Sequence, residues 1–487
     1  MTTASSNLDV EVGEGKQFIG GRWVQAETGK TFEVFDPGNG EFLAQVPDSS
    51  VTDGLAAVEA AAATSTTWAA TAPRERGEIL RRAFELMIAQ REPLGRLIVR
   101  ENGKALSEAL GEVDYAAEFL RWFSEEATRG LGTFGVAPNG KSRIITDLRP
   151  VGPSVFVTPW NFPAAMATRK IGPALAAGCT TILKPAGETP LTALAIAEIF
   201  RQAGLPDGVL NVVTTKRSSA VVGAMLADPR VRKLSFTGST EVGRALLKQA
   251  SERVLNCSME LGGNAPFLVL ADADIETAVQ SALVAKLRNG GQSCTAANRF
   301  YVHRSRMDEF TSRLAKAMGE MRMGHGLDAG VQIGAMINKG ATQDVASLVE
   351  RSIAAGAEVV LGGNLVGGPG AFYEPTVLHD VPADAPCLTE EIFGPVAPIV
   401  GFDDESEAIA LANDSDFGLV AFVQSNDLSA AMRVADGLEA GMVGVNRGVV
   451  SDPAAPFGGW KQSGLGREGA HDGLLEFLET KYIAASW

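Results

Sequence analysis

From about Pro153 the chain alternates short apolar runs with stretches of helical period, and this beat restricts the fold more than any other feature. Ser154–Val157 is followed by a helix through Leu175, Thr180–Leu183 by Leu191–Ala203, and Val209–Val213 by a helix near Ser219–Leu226; Lys233–Phe236 then leads into Glu241–Ala250. Short β-prone runs separated by amphipathic helices predict parallel strands covered on both faces. A second series starts at Phe267–Leu270. It continues through the helix Ile275–Arg288, the strand Phe300–His303, the helices Met307–Met321 and Ala341–Ala355 and the strand Val359–Leu361, ending near Val445. The expected fold class is therefore α/β, with two doubly wound parallel-sheet domains. Gly130–Arg149, with its alternating Arg143–Leu148, and the tail Phe477–Ile483 read as outlying strands of a small ribbon. Uncovered edges of that kind invite pairing between subunits.

At 487 residues the chain exceeds what one hydrophobic core serves, which agrees with two or more domains. A formal charge of −15 without any basic run argues against nucleic acid or an anionic membrane as partner. No stretch approaches the roughly 18 uninterrupted apolar residues of a membrane span. The four histidines, His303, His325, His379 and His471, fall at no metal-ligand interval, so no metal is expected. Four cysteines without short spacings, behind a polar Met1–Asp9 start, point to a reducing cytoplasm rather than a disulfide framework.

One cysteine stands apart from the others. Cys179, Cys257 and Cys387 lie in or beside apolar runs, as packing residues do, whereas Cys294 sits in Gly-Gly-Gln-Ser-Cys-Thr among small residues that leave its sulfur open to a substrate carbon. Upstream, Glu260 opens Glu-Leu-Gly-Gly-Asn, and glycine neighbours leave a carboxylate free to swing as a base. The pair points to covalent catalysis. Gly238-Ser239, between the run Lys233–Phe236 and a helix, places backbone donors and a hydroxyl where a helix N-terminus can hold pyrophosphate. Lys184 ends a strand where a doubly wound fold meets an adenosine ribose.

Two better-known patterns occur out of context. Gly135–Ser142 matches the phosphate loop G-x-x-x-x-G-K-S, but Pro138 interrupts it and β-prone residues follow where a helix is needed. Gly464–Gly469 matches G-x-G-x-x-G with no strand expected before it, and reads as a turn-rich loop.

Six motifs in order, Thr158-Pro-Trp-Asn-Phe-Pro163, Phe236-Thr-Gly-Ser-Thr240, Glu260–Asn264, Gly291–Cys294, Glu391-Ile-Phe-Gly-Pro395 and Pro456-Phe-Gly-Gly459, resemble the aldehyde dehydrogenase superfamily over nearly the whole chain. The resemblance implies a cofactor-binding domain over residues 1–130 and 150–262 and a catalytic domain over 263–450. It also implies oligomerisation strands at 131–149 and 470–487, with 451–469 returning to the cofactor side. It implies oxidation of an aldehyde to an acid with a nicotinamide cofactor, in a cytoplasmic homodimer or homotetramer. Residue by residue, Cys294 would form a thiohemiacetal and then a thioester, Asn161 and the Cys294 N–H would hold the oxyanion, and Glu260 would activate the hydrolytic water. Glu391 would bind the nicotinamide ribose, Phe393 would pack nearby and Trp160 would line the pocket.

Within the superfamily the chain is most similar to succinate-semialdehyde dehydrogenases, through Arg169-Lys170, Arg288-Asn289 and Ser451. Arg169, Arg288 and Ser451 would then hold a distal carboxylate on the substrate, for which a forked guanidinium is suited. Three departures qualify this. Ala296 stands where many relatives carry a second cysteine; Arg447 adds a cation near Ser451 that admits glutarate semialdehyde or a broader aldehyde range. Gly187 replaces the glutamate that NAD-preferring relatives place on the ribose hydroxyls, so NADP is favoured and NAD stays admissible, with Glu188 adjacent. A coenzyme-A-acylating enzyme would not need Glu260, and a non-catalytic protein on this fold would not need Cys294, Glu260 and Asn161 together.

Overall fold

Ser154–Val157 and Thr181–Lys184 are buried at every residue, as parallel strands covered on both faces must be. In the computed structural model, which describes Val10, Gly13 and residues 15–486, they lie at the centre of an eight-stranded sheet. The Met1–Asp9 stretch lies outside the described residues. Leu210–Val212, Thr181–Lys184, Ser154–Val157, Lys233–Thr237 and Asn256–Glu260 run parallel in that spatial order. The chain winds outward in one direction from Ser154–Val157 and in the other from Lys233–Thr237. The gap between those two strands is thus a topological switch point, where open α/β sheets bind ligands. Antiparallel Gln17–Ile19 and Arg22–Val24 close one edge, and Gly464–Leu465 closes the other by pairing with Met259 and Glu260.

Of four N-terminal helices, Val51–Ala70 packs on one face of the sheet beside Ser218–Ala227, with Ala57, Val58 and Ala61 against Val155, Val157 and Ile182, while Pro73–Ala89, Arg91–Asn102 and Leu106–Glu126 pack on the helices Pro163–Ala177 and Pro190–Gln202 of the other face. The first starts at a capping box between Ser50 and Asp53. Leu106–Glu126 packs on the helix Pro163–Ala177, with Phe119, Leu120, Phe123, Phe156 and Ile171 in one core.

A seven-stranded sheet has Ala297–His303 at its centre, with Ala265–Val269 next to it and Val420–Gln424 beyond. Phe267 joins it to its helices, with Phe300 at 5.2 Å and Phe422 at 5.8 Å between ring centroids. Six strands are parallel; Glu358–Leu361 is antiparallel at the edge. Two α/β sheets therefore make up the body of the protein.

The ribbon holds Phe134–Val136, Arg143–Pro150 and Leu478–Ala485, all antiparallel. The tail departs from the expected strand over 470–487: Ala470–Leu475 is a helix, because buried Leu474 and Phe477 join the core beneath Leu106–Glu126 and Pro163–Ala177, and extended structure begins only at Leu478. The phosphate-loop look-alike is the hairpin turn before Arg143, where Gly140 N–H bonds Ala137 O. No described helix is long and apolar enough to cross a membrane.

Candidate active site

Three strands of the first sheet deliver the site from their carboxyl ends. Ser154–Val157 runs into Thr158–Phe162 and the helix Pro163–Ala177; Lys233–Thr237 runs into Gly238 and Ser239, whose Oγ caps the helix Thr240–Ser251 by accepting from Val242 N–H at 3.4 Å. Asn256–Glu260 ends on a buried Glu260. From the second sheet, the helix Ile275–Leu287 stops one residue earlier than expected. Its successor, the tight turn Arg288–Gly291, puts Asn289, Gly290 and Gly291 at φ 54°, 60° and 81° and aims the following loop at the first sheet.

Where the loops meet is a cleft of about 240 Å³ that brings together Trp160, Asn161, Gly238, Ser239, Cys294, Glu391 and Phe393, all singled out in the sequence. The rings of Trp160 and Phe393 meet edge to face at 5.4 Å. The glycines of Glu-Leu-Gly-Gly serve a purpose other than mobility. A Cβ on Gly263 would lie 2.6 Å from the Cys294 carbonyl oxygen, and one on Gly291 would lie 2.1 Å from that of Gly394, so these loops touch through backbone alone. Asn161 is held at its side-chain amide and its carbonyl: its Nδ2 donates to Gln292 O at 3.1 Å, its Oδ1 accepts from Phe162 N–H at 3.1 Å, and its carbonyl accepts from Lys104 and Asn289.

The thiol of Cys294 is pushed up to about 12, chiefly by burial. The Arg169 and Arg288 charges oppose that, while Glu260 and Glu391 add to it. Glu260 is raised well above the usual carboxylate range by burial and then by the charge of Glu468, against Arg169, Lys170 and Arg467. Glu468 moves the other way: burial would raise it, but Arg169 and Lys170 outweigh that and hold it below its ordinary value. Glu468 was not foreseen. It lies in the Gly464–Gly469 stretch read only as a loop, and the strand Gly464–Leu465 brings it beside Glu260.

Arg288 and Ser451 come together in a second, small cavity with Ser293 and Thr295, the neighbours of Cys294. The Arg288 guanidinium lies over the rings of Phe162 at 4.8 Å and Tyr115 at 5.8 Å. Arg169 lines neither cavity. It is buried, ion-paired with Glu468 and stacked 4.1 Å above Phe457, and it reaches the thiol by its charge rather than by lining the substrate side.

Outside the cleft lining, Lys184 is buried at its strand's carboxyl end and held down at about 8, chiefly by burial, with Glu188 raising it and Lys216 lowering it. A Cβ on Gly187 would meet Lys216 at 3.1 to 3.3 Å, so a second lysine stands where the resemblance led us to look only for a missing carboxylate. Glu391 is raised to about 7 by burial, with Gly263 N–H and Lys286 opposing. Backbone donors at a capped helix start, a buried carboxylate and two lysines suit a phosphorylated dinucleotide. Among the described residues no group of three or more His, Cys, Asp or Glu could hold a metal ion.

The model of the aldehyde dehydrogenase family matches residues 23–483. A succinate-semialdehyde dehydrogenase of Paenarthrobacter nicotinovorans is 54% identical over 441 residues, covering 91% of this chain and 98% of that protein. A glutarate-semialdehyde dehydrogenase of Pseudomonas putida is 46% identical over 478 residues, covering 98% of this chain and 99% of that protein. Among solved structures, an NADP-dependent enzyme of E. coli superposes with a TM-score of 0.96 at 46% identity, over 97% of this chain and 98% of that one.

A thiol raised to about 12 is protonated at neutral pH in the free protein. The rate of Cys294 alkylation by iodoacetamide, followed by peptide mass spectrometry, should therefore climb close to tenfold per pH unit from pH 7 to 9. A plateau reached by pH 8 would contradict the burial argument.

Proposed function

Since the chain belongs to the aldehyde dehydrogenase family, we propose that it oxidises succinate semialdehyde to succinate with NADP, through a covalent intermediate on Cys294. The observation that carries the reading is the position of the Cys294 loop between two cavities. One is walled by Gly238, Ser239 and Glu391 for a cofactor, the other by Arg288 and Ser451 for a distal carboxylate. A nicotinamide cofactor bound in the first supplies a hydride acceptor. The chain's own residues do the remaining work. Cys294 Sγ gives up its proton to solvent in the cleft and bonds the aldehyde carbon as the C=O pair moves onto oxygen, and the Asn161 amide and Cys294 N–H hold that oxygen as it gains charge, each such donor contributing ~3 kcal/mol in the transition state. The acyl group then remains on sulfur as a thioester. Glu260, which burial and the charge of Glu468 make a stronger proton acceptor than an ordinary carboxylate, takes a proton from the water that hydrolyses it.

Arg288 is the primary anchor of the carboxylate, with Ser451 beside it. Arg169 adds positive potential but is shared with Glu468. Glutarate semialdehyde is the second reading. Arg447, at the exposed edge next to Gly448, has no ion pair among the described residues and extends the cationic rim. For the cofactor, Lys184 and Lys216 around Gly187 favour a 2′-phosphate, and the NADP dependence of the E. coli relative agrees. The exposed apolar side chains Phe134, Val136 and Tyr482 on the ribbon support a homo-oligomer, dimer or tetramer, joined there.

Cys294→Ala should reduce turnover below a hundredth of the parent while cofactor binding, measured by fluorescence titration, stays within about twofold. Glu260→Gln should keep a pre-steady-state burst of reduced cofactor and slow the steady state; a lost burst would mean that Glu260 also deprotonates the thiol. Arg288→Ala should lower kcat/KM for succinate semialdehyde by about thirtyfold or more and barely change it for butanal, since removing one partner of a desolvated charge pair costs ~2–5 kcal/mol. Equal losses on both substrates would overturn the carboxylate role, and a parent preference for glutarate semialdehyde would favour the second reading. Gly187→Glu should move selectivity from NADP toward NAD by tenfold or more, equivalent to ~1.4 kcal/mol; no change would remove Lys184 and Lys216 from cofactor choice.

A further inference from the structure

Asn161 and Cys294 sit on loops from different sheets, so a fixed oxyanion geometry requires something that touches both. One buried stretch does. Lys104 Nζ donates to the Asn161 carbonyl at 2.8 Å and pairs with Glu112 Oε2 at 2.5 Å, both side chains being fully buried. Glu112 Oε1 accepts from Ala164 N–H at 2.9 Å and Ala165 N–H at 3.4 Å, in the first turn of Pro163–Ala177, and so anchors the same loop from its other side. One turn earlier, Glu108 Oε1 accepts from Asn289 N–H at 2.7 Å in the turn that precedes Cys294. Asn289 then closes the loop: its Nδ2 donates to Asn161 O at 2.8 Å and to Gln292 O at 3.3 Å.

Lys104, Glu108 and Glu112 are thus spaced four residues apart on one face of the segment leading into and along Leu106–Glu126. A buried ion pair by itself is weak evidence for stability, because desolvation offsets the attraction. Here its hydrogen bonds end on backbone atoms of the oxyanion loop, and the companion carboxylate ends on the nucleophile loop. Asn289 occupies left-handed φ, a conformation that an asparagine keeps when its N–H and amide are both engaged.

We infer that Lys104, Glu108 and Glu112 are positioning residues that set the distance between the Asn161 amide and the Cys294 backbone N–H, and with it the strength of oxyanion binding. The inference rests on the covalent reading above. None of the three lines either cavity.

The test compares Glu108→Gln, Glu108→Leu and Lys104→Met in the full-length enzyme, by burst rate with succinate semialdehyde and by iodoacetamide alkylation of Cys294, which builds no oxyanion. Glu108→Gln keeps an acceptor for Asn289 N–H and removes the charge beside Arg288, so its burst should stay within about threefold of the parent. Glu108→Leu and Lys104→Met should slow the burst about ten- to a hundredfold, with alkylation and cofactor affinity nearly unchanged, as expected of misplaced donors. A burst in Glu108→Leu equal to that of Glu108→Gln, or alkylation falling in step with the burst, would overturn the inference. If Lys104→Met does not fold, the Glu108 pair decides alone. A parent without any burst would instead sink the covalent reading itself.

Discussion

The structure depends on a backbone contact: the loop after Glu260 and the loop carrying Cys294 approach so closely that a methyl group on Gly263 would strike the Cys294 carbonyl. The loop that follows a carboxylate on one sheet meets the loop of a thiol from the other only because no side chain intervenes. Gly291 repeats the device against Gly394, bringing Glu391 and Phe393 to the same cleft. With the loops locked this tightly, errors of position propagate directly into the reacting groups. That is why Lys104, Glu108 and Glu112 matter: they tie both loops to the helix Leu106–Glu126 and the residues just before it.

Burial then governs the charges. The site keeps its thiol protonated and its base at raised pKa, and it tolerates this because Arg169, Lys170 and Glu468 form a buried set whose two cations hold Glu468 ionised. The negative Glu468 in turn raises Glu260. A carboxylate that binds protons more tightly is the stronger base toward water, as general-base catalysis requires.

The fold class was legible because period-two and helical patterns alternate over almost three hundred residues, and both sheets follow that alternation. The cleft residues were legible for different reasons: Cys294, Gly238 and Ser239 through local sequence, and Trp160, Asn161, Glu391 and Phe393 through motifs that resemble a known family. What stayed hidden was everything produced by long-range pairing. Glu468 looked like loop, since nothing in its neighbours reveals that Gly464–Leu465 pairs with Met259 and Glu260. Lys104 and Glu112 carry no local signal, since their pairing and burial depend on how the helix Leu106–Glu126 packs. Lys216 meets Gly187 only in three dimensions. Arg169 reads as a substrate anchor beside Arg288 in the chain's resemblance, yet Glu468 claims its guanidinium. The helix Ala470–Leu475 was masked for a related reason, its few apolar residues making sense only against the core that they join.

The central claim is that Cys294, seated between the two cavities, carries the acyl group. Acid-quenching the Glu260→Gln protein during turnover of succinate semialdehyde with NADP, followed by peptide mass spectrometry, tests it directly. The account predicts a succinyl adduct on the peptide containing Cys294, removable by hydroxylamine as thioesters are. An unmodified Cys294 peptide under turnover, or the adduct on Cys179, Cys257 or Cys387 instead, would contradict it.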